Sequence, residues 1–578
     1  MEKRTLKRLI DVAAGRIPAD LCLKNCKVVD VYNRQVFSGD IYIAGGFIAG
    51  FGDDTFVDAL ATYDVKGKYI APGFIDSHVH IESSHLSPAE FSRKVVPHGV
   101  TTVIADPHEI CNVCGLDGFD YMLNASENIA LQVFLQLPSC VPATPFENAG
   151  AILGAKEIGE RIANERVLGL GELMNFVGTS NGDNDILDKI MVARKINKII
   201  DGHCPGLTGP LLDAYGASGV ANDHECTTAE ELRDKLRRGI YVLVRQGTGC
   251  QDVLNLVPGI DEKNYRFCLF CTDDRQAWSL EKEGSIDNNY RLAVSAGMDP
   301  LMAICMSTIN AAECFGLRDR GAVAPGKRAD LIMFDDLNNL KVESTWIGGR
   351  LVAKEGAYLA KDKKVKPVAV EGKMNVNNFS EERLRLHLKS ERVRTIRMHP
   401  IAAVTMAGEA HVKRDADSCW VRDNQDIVKI AVVERHKGTG NVGVGLLENY
   451  GLKGGALAMS IAHDSHNIIT VGDNDRDMVV AVNKLVEIGG GITIVKDGKV
   501  LDYMEHEIAG LMTDKPGEYV AERLYELVTL ARTKLNIHKD INPFMPLCFI
   551  ALPVIPELKI TDMGLFDVNQ FCHVDICL

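Results

Sequence analysis

The chain has 578 residues, of which 46% are hydrophobic and 25% charged, and its formal net charge is −14. This composition is typical of a soluble globular protein with several domains, and the acidic surplus disfavours a nucleic-acid or anionic-membrane surface. We therefore expect a small-molecule substrate. The N-terminal residues lack the apolar core of a signal peptide and no apolar run is long enough to span a membrane, so the sequence predicts a cytoplasmic protein.

Short β-forming segments occupy the chain up to residue 70, and from residue 72 apolar runs alternate with polar stretches that favour helices. Between residues 73 and 274 there are eight such runs, from GFIDSHVH to RFCLFCTDD, which is the number and spacing of the strands in a (β/α)8 barrel. A doubly wound sheet is the structural alternative, but it would not explain polar, chemically capable residues at so many strand ends.

The segments on both sides of the barrel complete the predicted α/β architecture. Short strands return after the last barrel helix, and a polar linker then leads to a long C-terminal region. The sequence predicts a small flanking β-sandwich domain from residues 1–71 and 320–365, a (β/α)8 barrel from residues 72–319, and a C-terminal α/β domain from residues 366–578.

Histidine and carboxylate residues follow most of the predicted barrel strands, at the end where such barrels keep their active sites. After the first run, His78, His80 and Glu82 alternate and therefore share one strand face. The later runs supply His108, Glu109, Glu172, His203, His224, Glu225, Asp273 and Asp274. A single residue of this kind is usually structural, but so many at one end of a barrel favour a site. Imidazole and carboxylate ligands suit Zn, Fe or Mn, and the set is large enough for two ions.

Some of these candidates are expected to position a neighbouring ligand and not to bind the metal themselves. Asp274 follows Asp273 and Glu225 follows His224, so in a continuing strand the second residue of each pair would point to the opposite face. The pair Cys111 and Cys114 has the spacing of a redox or zinc half-site, but a lone CxxC is a weak signal. It also lacks the preceding Pro of the zinc-dependent nucleobase deaminases.

The segment AHDSHN in the C-terminal region holds His463, Asp464, Ser465 and His466. A hydrolase triad converges from distant positions, so these adjacent residues do not form one. Two alternatives stay open: a loop that lines or covers the substrate pocket, and a structural turn.

The motifs PGFIDSHVHIESSHLSP, TTVIADPHEICNVCG, DGHCPG, CTDDR and AHDSHN together closely resemble those of the bacterial adenine deaminase family, within the amidohydrolase superfamily. The resemblance covers nearly the whole chain. It implies hydrolytic deamination of adenine to hypoxanthine and ammonia, as part of purine metabolism. It also implies a binuclear centre of Mn, Fe(II) or Zn, and a homodimer.

The resemblance further implies roles for individual residues. His78, His80 and Asp273 would hold one ion, His203 and His224 the other, and Glu172 would bridge them. Asp273 would also transfer protons. Glu82, His108 and Glu109 are candidates to hydrogen-bond a ring nitrogen of the purine, and Glu82 is equally a candidate ligand for an auxiliary metal. The remaining candidates for the substrate pocket are Asp274, His463, Ser465 and His466.

Two other functions stay open at this point. One is a different amidohydrolase reaction, the hydrolysis of a cyclic amide or an N-acyl group, because the metal core does not choose the bond that breaks. Many superfamily members bridge their ions with a carboxylated Lys, whereas this chain has Glu172 at that position, which disfavours hydantoinase-like chemistry. The other is a non-catalytic barrel used in assembly, which should have lost ligands that this chain retains.

Overall fold

The computed structural model describes residues 2–52, 58–398 and 405–578. In this part of the chain, no helix combines the length and the apolar character that crossing a bilayer requires. The architecture is a parallel barrel with additional sheets before and after it. The predicted fold class is therefore confirmed.

Helix α1 (Lys3–Ala13) opens the chain, and a mixed sheet follows it. The first strands of this sheet are β1 (Leu21–Asp30), β2 (Gln35–Ala44), β3 (Phe47–Gly52), β4 (Thr62–Asp64) and β5 (Tyr69–Pro72). Strands β1 and β2 pair antiparallel, and their alternate apolar side chains, such as Leu23 and Ile41, are buried in one cluster.

Within the described residues 58–398, eight parallel strands form the barrel. They are β6 (Phe74–Val79), β7 (Val100–Ala105), β8 (Gln132–Leu137), β9 (Val167–Leu173), β10 (Ile199–Gly202), β11 (Asn222–Asp223), β12 (Tyr241–Arg245) and β13 (Cys268–Cys271). A parallel bridge between Val79 and Asp273 closes the ring, and the Asp273 N–H donates to the His78 carbonyl at 3.0 Å. The predicted strand runs are confirmed.

Helices occupy the connections between the barrel strands and follow the last one. They are α2 (Pro88–Val95), α3 (His108–Cys114), α4 (Leu116–Ala125), α5 (Ala155–Arg161), α6 (Phe176–Asn181), α7 (Asn184–Lys195), α8 (Gly209–Ala217), α9 (Ala229–Arg237), α10 (Val253–Leu256), α11 (Ala277–Glu283), α12 (Ile286–Ser295), α13 (Pro300–Ser307) and α14 (Ile309–Cys314). Short 3-10 turns lie at Ile81–Ser84, Val96–His98, Val257–Gly259 and Tyr265–Phe267.

One helix contact fixes two of the strand ends that carry histidines. Lys235 of α9 is fully buried, and its Nζ lies 2.6 Å from Asp223 Oδ1 and 3.0 Å from the Cys204 carbonyl. Since Asp223 precedes His224 and Cys204 follows His203, this ammonium group ties both strand ends to the same helix.

The chain then returns to the mixed sheet. Strands β14 (Leu331–Phe334), β15 (Ser344–Ile347), β16 (Arg350–Lys354) and β17 (Ala357–Tyr358) extend it. Strand β14 pairs antiparallel with β5, so segments from both sides of the barrel in sequence share one sheet.

In the described part of the C-terminal region, the strands form one eight-stranded sheet, one three-stranded sheet and one two-stranded sheet. Its elements are β18 (Arg392–Arg397), β19 (Met406–His411), β20 (Lys413–Arg414), β21 (Trp420–Val421), β22 (Ile427–Val433), β23 (Val442–Glu448), β24 (Ala456–Met459), β25 (Ile468–Gly472), α15 (Asp475–Ile488), β26 (Gly491–Lys496), β27 (Lys499–Glu505), α16 (Gly517–Lys534), α17 (Met545–Cys548), β28 (Leu558–Thr561), β29 (Gly564–Asp567) and β30 (Cys572–His573), with a 3-10 turn at Glu381–Leu384. The segment AHDSHN connects β24 to β25, and we call residues 462–467 the C-terminal loop.

Candidate metal centre

Glu172, the sixth residue of β9, lies among imidazoles that come from β6 and from the ends of β6 and β10. Its Oε1 is 2.8 Å from both His78 Nε2 and His80 Nε2, and its Oε2 is 3.0 Å from His203 Nδ1. The two Nε2 atoms of His78 and His80 are 3.1 Å apart. All four side chains are buried. Their nitrogen and oxygen atoms thus converge on one small volume inside the barrel mouth.

Asp273 and His224 complete this cluster. Asp273 Oδ1 is 3.2 Å from His80 Nε2, and the His224 ring stacks on the His78 ring with centroids 4.1 Å apart. One ligand atom from each of His78, Glu172, His224 and Asp273 lies within 4.8 Å of the others. Overlapping groups with the same spacing are His80, His108 and Glu172, and His203, His224 and Glu225.

This donor set fits divalent metal ions that accept nitrogen and oxygen ligands. His203 Nε2 is buried and has no hydrogen-bond partner in the described part of the chain. A buried polar atom without a partner is costly, so its position favours a ligand role. Cys111 and Cys114 belong to none of the metal-competent groups found among the described residues.

The carboxylates and imidazoles of the cluster perturb one another strongly. Burial lowers the pKa of His78, but the charge on Glu172 and hydrogen bonds to Asp273 and Glu172 outweigh it and raise the pKa to about 10. Burial raises the pKa of Glu172, but the positive charge on His80 and His78 holds it well below its usual range. The cluster therefore favours cations, and metal ions would take the place of the imidazole protons.

Glu225 lies beside His224, with Oε1 3.3 Å from His224 Nε2, and not on the opposite face. The prediction from strand alternation is wrong because β11 ends at Asp223. The guanidinium of Arg245 contacts Glu225 and reaches Asp273 Oδ2 at 3.1 Å. This ion pair joins two carboxylates of the site, and no motif in the sequence singles out Arg245.

Asp274 also departs from the expected orientation. Strand β13 ends at Cys271 and Asp273 has a φ of 55°, so the alternation of side chains stops before this pair. Asp273 and Asp274 consequently face the same cavity and form a metal-competent group with His80. Burial and the charge on Asp273 raise the pKa of Asp274 to about 6.

The candidates for contact with a ring nitrogen lie next to the cluster. Glu82 is buried, its Oε1 accepts from the Ile110 N–H at 3.3 Å, and its Oε2 has no hydrogen-bond partner among the described residues. Burial and the charge on Glu109 raise the pKa of Glu82 to about 8. His108 Nδ1 is 3.9 Å from Glu172 Oε1.

The C-terminal loop enters the barrel mouth. His463 Nδ1 lies 3.1 Å from Glu109 Oε1, and the charge on Glu109 outweighs burial and raises the pKa of His463 to about 9. Asp464 Oδ1 lies 3.6 Å from His108 Nε2. Ser465 and His466 stand outside the cavity lining: the Ser465 hydroxyl donates to Glu147, and His466 Nδ1 accepts from the Ala462 N–H at 3.1 Å.

Most of these groups line a cavity of about 50 Å³, but His78, Glu82, Ser465 and His466 do not. Its wall includes apolar side chains as well as the charged ones already described. They are Met174 from the barrel and Phe549, Leu552 and Ile555 from the segment after α17. The cavity is also lined by Asp464, Glu225 and Arg245. The sequence motifs include Asp464 and Glu225 but assign neither of them a direct role in the site.

Comparison with known proteins covers both parts of the site. Residues 69–374 match the Amidohydrolase family, and residues 402–572 match the Adenine deaminase C-terminal domain. The chain is 50% identical over 577 residues to adenine deaminase 2 of Desulfotalea psychrophila, covering 100% of each chain. It is 50% identical over 571 residues to the adenine deaminase of Nitratidesulfovibrio vulgaris, covering 99% of each. The adenine deaminase of Ligilactobacillus salivarius is 47% identical over 575 residues, covering 99% of each.

Proposed function

Because this chain belongs to the adenine deaminase family of the amidohydrolase superfamily, we propose that its barrel mouth hydrolyses adenine to hypoxanthine and ammonia. The observation that carries the chemistry is the convergence of His78, His80 and His203 on the Glu172 carboxylate at 2.8–3.0 Å. This reaction is a step of purine metabolism.

The metal ligands are proposed from this geometry and from the donor types. His78, His80 and Asp273 would hold one ion, His203 and His224 would hold the other, and Glu172 would lie between them. When bound, two ions of Mn, Fe(II) or Zn would lower the pKa of water and supply hydroxide at neutral pH. Because Glu172 is an unmodified carboxylate, the site needs no carboxylated Lys.

Asp273 is proposed as the proton carrier. Its Oδ1 faces the His80 imidazole, while its Oδ2 is held by Arg245 at 3.1 Å, so the carboxylate cannot rotate freely. As the water oxygen adds to C6 of adenine, Asp273 would take its proton and deliver it to the departing amino group. Burial raises the pKa of Asp273, but hydrogen bonds with His78 and His80, together with the charge on Arg245, hold it well below its usual range.

Adding an oxygen to C6 builds negative charge on the purine ring, which a hydrogen bond at a ring nitrogen would relieve. Glu82 and His108 are the proposed donors, whereas Glu109, which is ionised beside His463, is proposed to accept from an N–H of the base. Glu82 has a buried Oε2 that no described residue satisfies, and Glu109 is oriented by His463 and by the Ser83 hydroxyl at 2.9 Å. Asp274 and His463 are proposed to line the substrate pocket around them, and Ser465 and His466, which lie outside its lining, to hold the C-terminal loop in place.

We also propose that the protein acts in the cytoplasm as a homodimer and binds neither nucleic acid nor membranes. The net charge of −14 supports the absence of polyanionic partners. Size-exclusion chromatography with light scattering tests the dimer, and a monomer at micromolar concentration would contradict it.

The function is tested by an absorbance assay of adenine conversion on metal-stripped protein reloaded separately with Mn, Fe(II) and Zn. We expect turnover of adenine with at least one metal. The same preparations are offered a cyclic amide and an N-acyl amino acid. The proposed deamination would be wrong if the protein bound two ions per chain, released no ammonia from adenine and hydrolysed either control compound. Its reaction would then be a different amidohydrolase reaction.

A further inference from the structure

Asp464 is a buried carboxylate of the C-terminal loop with no role in the chemistry described above. Its side chain is 2% exposed and lines the cavity at the barrel mouth. Its Oδ2 is buried without a hydrogen-bond partner among the described residues. A buried carboxylate oxygen in this state is costly, so it is a natural acceptor for a donor that the cavity receives.

The position of Asp464 relative to Glu172 indicates which part of a bound purine it would meet. The His108 ring lies between the two carboxylates, with Nδ1 3.9 Å from Glu172 Oε1 and Nε2 3.6 Å from Asp464 Oδ1. The His108 ring thus separates Asp464 from the metal cluster. If C6 of adenine reacts at the cluster, the five-membered ring of the base extends away from it, toward this side of the cavity.

The loop does not depend on the Asp464 carboxylate for its shape. The His463 N–H donates to the Cys548 carbonyl at 2.8 Å, the His466 N–H donates to the Ala462 carbonyl at 2.8 Å, and the Asn467 amide donates to the Asn148 carbonyl at 2.8 Å. These bonds hold the loop on both sides of Asp464. The fold of the loop therefore does not account for a buried acid at this position.

Free adenine carries an N–H on its five-membered ring, and a 9-substituted adenine or a nucleoside does not. We propose that Asp464 accepts this ring N–H and so selects the free base over its 9-substituted derivatives. A hydrogen bond to a buried carboxylate oxygen that has no other partner is favourable, and a site built around such a bond rejects analogues that lack the donor. The proposal rests on the proposed function and adds a specificity residue from the C-terminal domain.

The test compares adenine with 9-methyladenine as substrates of the metal-loaded wild type, Asp464→Ala and Asp464→Asn. The wild type should prefer adenine by about 10⁴-fold in kcat/KM. In Asp464→Ala, kcat/KM for adenine should fall by about tenfold to a hundredfold, chiefly through KM, and the preference should shrink. Asp464→Asn keeps the size of the side chain and one acceptor oxygen but loses the charge, so kcat/KM for adenine should fall less than in Asp464→Ala while 9-methyladenine stays a poor substrate.

Metal content and the melting temperature of each variant separate this effect from misfolding. Asp477→Asn is the matched control, since Asp477 is a buried acid of the same domain that binds the Gly498 N–H and lies outside the cavity. Its substrate preference should equal that of the wild type. If Asp464→Ala gains 9-methyladenine turnover without losing adenine turnover, Asp464 acts only by its bulk and the proposed acceptor role is wrong.

The affinities of the same proteins for adenine and 9-methyladenine are also measured by calorimetry. This measurement tests the role of Asp464 in binding, whether or not the protein deaminates adenine. Failure of the wild type to deaminate adenine would overturn the proposed function alone. Equal affinity of wild type and Asp464→Ala for adenine would overturn the assignment of Asp464, whatever reaction the protein performs.

Discussion

The barrel mouth and the C-terminal loop both bring a histidine and a carboxylate to the same cavity, but they position them by different means. In the barrel, His78 belongs to β6, which pairs with β7, and Glu172 belongs to β9, which pairs with β8. The hydrogen-bond register of the sheet therefore fixes where the two side chains point. In the loop, no ladder fixes His463 and Asp464. The loop is instead held by bonds to the barrel, such as the one from Asn467 to the Asn148 carbonyl.

This difference separates two kinds of dependence. The metal cluster should form wherever the barrel closes, whereas the groups from the loop should reach the cavity only when the two domains are docked. Changes in the barrel are therefore expected to remove metal and activity together. Changes in the loop or its anchors are expected to lower activity while the metal stays bound.

Glu172→Gln should have the largest effect, because it removes the charge that the surrounding imidazoles share. We expect loss of bound metal and a decrease of about 10⁴-fold or more in kcat/KM for adenine. Metal analysis and the absorbance assay measure both quantities. Glu160→Gln, on the outer helix α5, is the control, and full metal content with normal turnover in Glu172→Gln would show that the carboxylate is not central.

Lys235→Met tests how the strand ends of the barrel are held. It leaves the buried Asp223 carboxylate without its partner, and breaking such a pair costs about 3–5 kcal/mol in the free energy of unfolding. Urea unfolding measures the loss. The double variant Lys235→Met with Asp223→Asn removes both charges and should recover much of it, so a double variant as unstable as the single one would contradict this explanation.

The contact between the domains should also weaken in acid. His85 of the barrel and His506 of the C-terminal domain are buried with ring centroids 4.8 Å apart, and burial lowers the pKa of His85 from 6.5 to about 4. The folded protein requires the neutral form of the His85 imidazole. The contribution of His85 to the free energy of unfolding is therefore complete above pH 6.5 and is lost as the pH falls from 6.5 to about 4.

The loss from His85 amounts to about 3 kcal/mol in the free energy of unfolding. Urea unfolding between pH 7 and pH 4 measures it, with His85→Asn as the non-titrating comparison. Because Asn tolerates a positive φ, which His85 has at 64°, the variant can keep the local backbone. An unchanged slope of stability against pH in His85→Asn would show that other groups cause the acid sensitivity.

Asp562→Ala should have the smallest effect, since it acts only through docking. Asp562 accepts from the Asn148 N–H at 2.9 Å and from the Asn148 amide at 2.7 Å, and the Asn148 carbonyl in turn holds the C-terminal loop. We expect kcat/KM to fall by about tenfold with unchanged metal content. Asp567→Ala, at the end of β29, is the control and should be indistinguishable from the wild type.

The barrel strands and the residues at their ends could be predicted from the sequence because alternation and strand order follow directly from residue spacing. The same rule failed for Glu82, Glu225 and Asp274, since β6 ends at Val79, β11 at Asp223 and β13 at Cys271, before those residues; Glu82 lies in the 3-10 turn Ile81–Ser84. The approach of Asp464 to His108 depends on how two domains pack, which residue spacing does not encode. The roles assigned to individual ligands stay predictions.

The most direct test of a site built by two domains compares metal-loaded wild type with His463→Ala, counting bound metal and measuring adenine turnover on the same preparations. We predict that the wild type releases ammonia from adenine. The variant should keep its metal but lose about a hundredfold in kcat/KM, because Glu109 then loses the 3.1 Å contact with the His463 imidazole that orients it. A His463→Ala protein as active as the wild type would show that the barrel mouth works alone.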